Sequence, residues 1–496
     1  MKSFVVLMLW ILGLSFVHSS TNEVLKKRTL EGSMVEVYHL LPSQVDSLSK
    51  VLNQGIFYGR LRMQTFAYHW DKELMKNTSS IRKNHMIVGL GTSFLYKTAY
   101  LHGFGATVGI YASQAYGSID KEEAYLYKDG KDTFNRYKAL NGGNQNIVTI
   151  AQAYLEYRYG LSSFKAGRQI FESFLTKSND SKMIPNTFEG YTVESHDFSK
   201  TTIKLAYLTK QKLRDHTSFH HVLARGDSTS SDPYGMYSQN DDAAMHQGLT
   251  LSKLQKAKID DRLFVAEVNS RSIDNLQIWA NYTSVSSLIS SAMLQLDYTW
   301  YYNEMKITPA IRYMQQFDNG AGAIAGANLK TNVLGYTEID SLDSWLFGVR
   351  VNIQKDVWKL RFGYTQIADK GDIIAPWRGF PTAGFTRAMG QYNWYANTKT
   401  YLFRLDYDFD KNRMLTGIKG LFRVALQDFD DNKPGVQADS DIYEIGLLKA
   451  FKTIPNLSMK LRYVHAIGNT STLTSSGFKK LDPSYDTVRL DINYLF

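Results

Sequence analysis

The 496-residue chain contains no cysteine and only 9 prolines. Without cysteine there are no disulfide staples, no thiolate metal sites and no cysteine nucleophile. That lack would handicap a small secreted domain. It is no handicap to a closed sheet whose backbone hydrogen bonds hold it together. Long apolar runs are also missing. Beyond the first residues nothing approaches the roughly 20 consecutive apolar positions that a membrane-spanning helix requires, and mean hydropathy is −0.30. A bundle of transmembrane helices is therefore excluded. No glycine-rich phosphate loop, dinucleotide fingerprint or zinc-ligand spacing occurs, so neither a cofactor nor a metal is expected.

What the chain does have is 32 Tyr, 26 Phe and 35 Gly. A chain rich in aromatics and glycine yet polar on average fits apolar residues that alternate with polar ones. The C-terminus shows this directly. Val488, Leu490, Ile492, Tyr494 and Phe496 share one face, and Arg489, Asp491 and Asn493 the other. That period of two is a strand. Likewise Tyr401, Phe403, Leu405 and Tyr407 oppose Leu402, Arg404, Asp406 and Asp408, and Trp358, Leu360, Phe362 and Tyr364 oppose Lys359, Arg361, Gly363 and Thr365.

At the other end Lys2, the apolar run Phe4 to Val17 and the small residues Val17 and Ser19 read as a secretory signal over residues 1–19. Residues 20–54 read as a short, weakly helical periplasmic extension opened by Pro42-Ser43, with Leu40, Leu41, Val45, Leu48 and Val51 as its apolar positions. Residues 55–496 read as one domain.

The expected fold is all-β: a transmembrane antiparallel β-barrel of about 18 strands, with short periplasmic turns and long outer loops. The spans are 55–70, 85–98, 103–114, 148–160, 162–171, 186–196, 200–211, 262–272, 275–283, 288–302, 304–318, 341–355, 357–369, 398–410, 417–429, 440–452, 457–468 and 485–496. Only closure satisfies every backbone group in lipid. An outward apolar face is expected to carry aromatic girdles, to which Tyr68, Trp70, Tyr96, Trp300, Tyr301, Tyr302, Trp345, Trp358 and Tyr494 are assigned. The implied location is the outer membrane of a Gram-negative-type bacterium. The implied function is passive diffusion of small polar solutes, with Phe496 as the signal to the barrel-assembly machinery and either a monomer or a homotrimer as the assembly.

From Lys165 to Gly190 the chain resembles the OprD-like porins. That family carries a strand, then a loop with an Asn-Asp-x-basic-x-x-Pro core, then Thr-Phe-x-Gly opening the next strand. Asn179, Asp180, Lys182, Pro185, Thr187, Phe188 and Gly190 match this outline, Lys182 standing where the family often has Arg. The first strand, from Tyr58 to Tyr68, and the terminal Tyr-Leu-Phe are similar too. The resemblance implies an 18-stranded barrel whose third outer loop folds inward, here residues 172–185, with a helper at 370–397. It also implies a basic ladder along one wall that passes carboxylate-bearing solutes, amino acids and organic acids among them.

Strand parity supplies a ladder independently of the family. Arg60, Arg62, Arg312, Arg350, Arg361, Arg404, Arg423, Arg462 and Arg489 fall on lumen faces, with Arg158 and Lys460 beside them. Five neighbouring strands (14, 15, 17, 18 and 1) contribute to one stretch, the sixteenth being a gap. Arginine stays charged and its planar fork matches a carboxylate. Partial pairing with lumen acids is expected, for example Arg404 with Asp491 or Arg489 with Asp406. In the inward loop Lys177, Asp180 and Lys182 are candidates for the constriction. In the helper loop Asp369 and Asp372 are candidates for a transverse field across it.

A general porin without preference is the alternative. An outer-membrane barrel enzyme is another, on the cluster of Asp215, His216, Ser218, His220 and His221; an adhesive surface protein is a third. The net charge of +10 raises nucleic acid as a partner, but the arginines alternate along strands instead of forming a patch, so none is expected.

Overall fold

The computed structural model describes residues 28–76, 79–227, 244–469, 477 and 480–496. The expected signal segment over residues 1–19 lies outside the described residues. Eighteen antiparallel strands close into a barrel. They are β1 Ile56–Trp70, β2 His85–Lys97, β3 Phe104–Gly117, β4 Ile147–Tyr159, β5 Ser162–Gln169, β6 Thr187–Ser195, β7 Thr201–Lys212, β8 Leu263–Ile273 and β9 Leu276–Val285. The rest are β10 Ile289–Tyr298, β11 Met305–Asp318, β12 Ser344–Lys355, β13 Trp358–Ile367, β14 Lys399–Asp408, β15 Ile418–Asp428, β16 Ser440–Ala450, β17 Leu457–Gly468 and β18 Tyr485–Leu495. β18 pairs with β1, Leu490 opposite Thr65, and completes the ring.

The alternation sets which side is which. On β1 the residues Arg60, Arg62, Gln64, Phe66 and Tyr68 are buried inside, whereas Phe57 and Leu61 are exposed outside. The outer face repeats this apolar character around the ring, for example at Phe94, Ile110, Leu155, Leu205, Leu294, Phe362 and Ile445. Three of the girdle assignments are corrected: Tyr301, at the parity of Asp297, lines a polar space inside the barrel near the periplasmic turns with Thr299 and Lys306. Tyr68 and Trp70 point inward: Tyr68 stacks between His85 and Tyr485, and Trp70 lies under the Arg82 guanidinium. Their positions carry the same parity as Arg62, so the register sends them to the lumen.

Periplasmic turns are tight. Gly160 (φ 57°), Asn275 (φ 63°) and Asp356 (φ 44°) occupy the left-handed region that two-residue hairpins demand. Pro309 sits inside β11 at a gap in the ladder to the preceding strand, between the pairs Asp297–Ala310 and Trp300–Ile307, the kind of interruption at which a residue without an N–H is tolerated.

The lumen is filled unevenly. The outer loops between β5 and β6 (170–186), β7 and β8 (described over 213–227 and 244–262), β11 and β12 (319–343) and β13 and β14 (368–398) drop inward and pack on one another. Phe174, Leu175, Val222, Leu223, Leu249, Ile373, Trp377 and Trp394 belong to one apolar core that leans on the walls from β6 to β12. The opposite side, against β14 to β18, keeps the open space.

Residues 28–54 differ from the expected weak helix outside the barrel. Arg28–Glu31 and Val35–Tyr38 form a two-stranded hairpin that lies within the lumen, against β1 and β2. A short helix, Leu48–Asn53, follows before β1.

Candidate functional site

A cavity of about 680 Å³ occupies the open side of the barrel. Its lining includes twelve Lys and Arg residues against four Asp and Glu residues. From the wall come Arg404, Lys419, Arg423, Lys460, Arg462 and Arg489; from the loops come Lys128, Lys131, Lys182, Arg214, Arg378 and Arg387. The acids are Asp129, Asp132, Asp406 and Glu444.

Register produces the wall. Arg361 on β13 lies directly opposite Arg404 on β14, and Arg404 directly opposite Arg423 on β15. Arg423 meets Glu444 on β16, and Arg462 on β17 is opposite Arg489 on β18. Like charges directly opposite in a sheet are destabilising. A sequence that places three guanidinium groups in one cross-strand row breaks a local rule, and such breaks concentrate at functional positions.

Carboxylates partly offset the wall, and not in the expected pairs. Arg404 binds Asp406 on its own strand at 2.6 Å, and Arg462 binds Asp491 at 3.0 Å. Arg489 is gripped by Asp129 of the second outer loop (118–146), with Nε donating at 2.8 Å. The expected pairs Arg404–Asp491 and Arg489–Asp406 do not form, because an i,i+2 partner and a loop acid are nearer. Arg423 pairs with Glu444 at 2.7 Å. Arg361 has an amide partner, donating to Asn352 Oδ1 at 2.8 Å.

Several ladder members stand away from this cavity. Arg60 and Arg62 are buried, both held by Asp180 of the third loop, Arg62 at 2.6 Å. Arg312 is covered by Phe174, Trp279 and Phe385 and donates to the carbonyls of Pro381 and Ala383. Arg350 pairs with Asp297 and borders a second, polar cavity of about 520 Å³ near the periplasmic turns, together with Arg271 and Lys359. Arg158 pairs with Glu156 on its own strand at 3.4 Å.

The loop candidates divide similarly. Asp180 and Lys182 sit against the wall: Lys182 pairs with Asp132 at 3.2 Å and lies 3.9 Å from the centre of the Phe66 ring. Lys177 turns back to Glu172 at 3.6 Å. Asp369 and Asp372 do not face the passage, which corrects their expected role. Asp372 is fully buried and accepts from Tyr336 Oη and from the backbone N–H of Leu329 and Ala396. Asp369 pairs with Lys433 at 2.5 Å. A loop that folds inward buries unpaired N–H donors, and these carboxylates are consumed in satisfying them and a buried ammonium.

The third (170–186) and seventh (368–398) outer loops are bound together as one partition. Lys177 N–H donates to Trp377 at 2.8 Å, and Gly379 N–H donates to Leu175 at 2.8 Å. Gly379 is required by proximity, since a Cβ there would stand 2.4 Å from the Leu175 carbonyl. Met183 enters a recess over Gly89 and Gly91 on β2.

Sequence reasoning missed Lys128, Lys131, Arg214, Arg378 and Arg387. They lie on loops, where no alternation assigns a face. Arg387 is held over the rings of Phe380, Tyr392 and Trp394 at 4.8, 5.4 and 5.8 Å. Lys128 lines the cavity yet is walled in by protein. That enclosure, with Lys330 and Arg387 nearby, brings its ammonium down to about 8. Burial pushes the Asp129 carboxyl up, but Arg489 and Lys182 outweigh it and hold the group at about 2.

The histidine cluster is structural. His216 Nδ1 and His220 Nε2 are 3.0 Å apart, His221 pairs with Asp261, and His220 exchanges backbone hydrogen bonds with Gln211 on β7. Among the described residues no group of three or more His, Asp or Glu side chains is placed to hold a metal.

Similarity to known proteins agrees with this geometry. The family model for "outer membrane porin, OprD family" matches residues 137–423. Among solved structures, the chain is similar to Pseudomonas aeruginosa OpdK with vanillate, at TM-score 0.66 and 13% identity over 90% of this chain and 99% of that one. It is similar to P. aeruginosa OpdQ at TM-score 0.64 and 15% identity over 89% and 98%. It is also similar to Acinetobacter baumannii OccAB3 at TM-score 0.63 and 14% identity over 89% and 99%. At such identities the likeness is one of fold. No curated protein sequence matches the chain. With the family model covering more than half of its length, the chain belongs to the OprD family of outer-membrane porins, passive channels that let small solutes cross the outer membrane.

Proposed function

We infer that this porin favours small anionic solutes, carboxylates above all, and that the in-register arginines of β13, β14, β15, β17 and β18 form its selective wall. The observation that carries this reading is the cavity lining, where twelve cationic residues face four acids. Internal pairing neutralises some of them and leaves a surplus of positive charge. A charge pair at 4 Å is worth about 1 kcal/mol in water and about 4 kcal/mol at an effective dielectric near 20. A narrow aqueous passage lies between these limits. Attraction of that size concentrates anions and still releases them, as conduction demands.

The similar OpdK has been solved with vanillate, itself a carboxylate. A second part of the reading concerns assembly: Phe496 is the signal for barrel insertion. Its backbone exchanges hydrogen bonds with Gly59 at 2.9 and 3.1 Å, and its ring packs between Phe57 and Phe94 at the closing seam.

Swelling of proteoliposomes tests the solute preference. A small monocarboxylate is predicted to enter severalfold faster than its uncharged amide of the same size. Equal rates would mark a general diffusion channel and reject the anion reading.

A further inference from the structure

We propose that the N-terminal hairpin is a built-in plug: residues 28–38 sit in the lumen beside the constriction, hold Arg60, and open a wider passage when they withdraw toward the periplasm.

The argument begins with how the segment is held. Its two strands pair only with each other, Arg28 opposite Tyr38 through Glu31 opposite Val35, and do not join the barrel sheet. An isolated two-stranded hairpin is marginal in water, so its place depends on a few side-chain contacts. Arg60 Nη1 donates to the Met34 carbonyl at 3.1 Å, and Ser93 Oγ donates to Glu36 Oε2 at 2.8 Å. The Tyr38 and Tyr58 rings stand 5.4 Å apart. Gly32, at the hairpin turn, lines the main cavity, so the tip reaches the route of a solute.

The stem is anchored differently. Gln44–Val45 pairs in parallel with Tyr100–Leu101 at the first periplasmic turn, and Tyr100 N–H donates to the Ser43 carbonyl at 2.8 Å. Ala99 N–H donates to Val51 at 2.9 Å. The chain is thus fixed by backbone hydrogen bonds at the barrel mouth and only lightly held at its tip. Residues 39–43 connect the two and form a hinge.

The covered surface gives the plug a consequence. Arg60 is 0% exposed and Arg62 is 5% exposed, and the two share one carboxylate, Asp180. Withdrawal widens the passage and frees the Arg60 guanidinium from the Met34 carbonyl, leaving Asp180 as its remaining partner. The inference does not rest on the solute preference, because conductance alone reads it.

Two variants of the full chain test it in planar bilayers. Deletion of residues 28–38 is predicted to raise single-channel conductance roughly twofold or more, with heat-modifiable migration reporting that the barrel has folded. Glu36→Cys with Ser93→Cys, bridged by a short bis-methanethiosulfonate that fills the space of the Glu36 carboxylate, gives a reducible cross-link free of background, since the chain has no cysteine of its own. Cross-linked, this channel is predicted to stay at its lowest conductance level; reduced, it is predicted to show excursions to the level of the deletion variant. Unchanged conductance in the folded deletion variant overturns the proposal. If the deletion variant does not fold, the cysteine pair decides: failure to cross-link in intact membranes, or identical traces before and after reduction, overturns it.

Discussion

Most guanidinium groups on the lumen wall have an oxygen within reach, and where that oxygen comes from separates two kinds of arginine. Arg489 meets a loop acid, Asp129, in a buried pair. Removing one partner from such a pair leaves the other charged, buried and alone, which costs about 3–5 kcal/mol. Arg489→Gln is therefore predicted to release the second outer loop, read as faster proteolysis there in intact membranes, whereas Arg361→Gln is predicted to leave proteolysis unchanged and only to weaken anion preference. Lys128 makes a pH prediction. Its ammonium is charged below about 8 and neutral above, so anion preference is expected to fall as pH rises through that value. Lys128→Gln should show a lower preference already at pH 6 and a smaller step. At this scale the sequence was half legible. Parity assigned Arg404, Arg423, Arg462 and Arg489 to the lumen, and the acids that pair with the first three stand on strands, but Asp129, the partner of Arg489, and Lys128 lie on a loop that only tertiary packing positions.

The strands were the most legible elements. An apolar face on lipid and a polar face on water enforce a period of two along every span, so expected boundaries such as 55–70 and 440–452 fall within a few residues of Ile56–Trp70 and Ser440–Ala450. The loops were not legible in this way: Asp369 and Asp372 bind loop groups instead of facing the passage. The partition of the third and seventh loops gives a test. Gly379→Ala drives a methyl into the Leu175 backbone, and is predicted to separate the two loops, seen as larger and noisier conductance with barrel unfolding in denaturant nearly unchanged. The hairpin gives another. Burial raises Glu36 from its ordinary 4.5 to about 7, against the pull of Arg60, Ser93 and Arg62 and with the push of Asp180. A withdrawn hairpin regains the ordinary value. Seating is therefore strongest below about 4.5 and weakens as pH rises through about 7. Openings are expected to be more frequent at pH 8 than at pH 5, and Glu36→Gln should remove that difference.

At the scale of the whole molecule the barrel is a divided tube. Toward its outer end the half beside β6 to β12 is packed by apolar loop residues, and the half beside β14 to β18 is open and cationic. The formal charge of +10 describes the chain; the lining of one cavity describes what a solute meets. Fold class and strand number follow from alternation, and the resemblance at Asn179 to Gly190 pointed to the inward loop. The division of the lumen does not follow from either, because it depends on four loops meeting one another. The measurement that bears most directly on the cationic passage is the reversal potential of single channels in a potassium chloride gradient. A shift toward the chloride equilibrium potential is predicted, reduced in Arg404→Gln/Arg423→Gln; a shift toward the potassium potential would contradict the account.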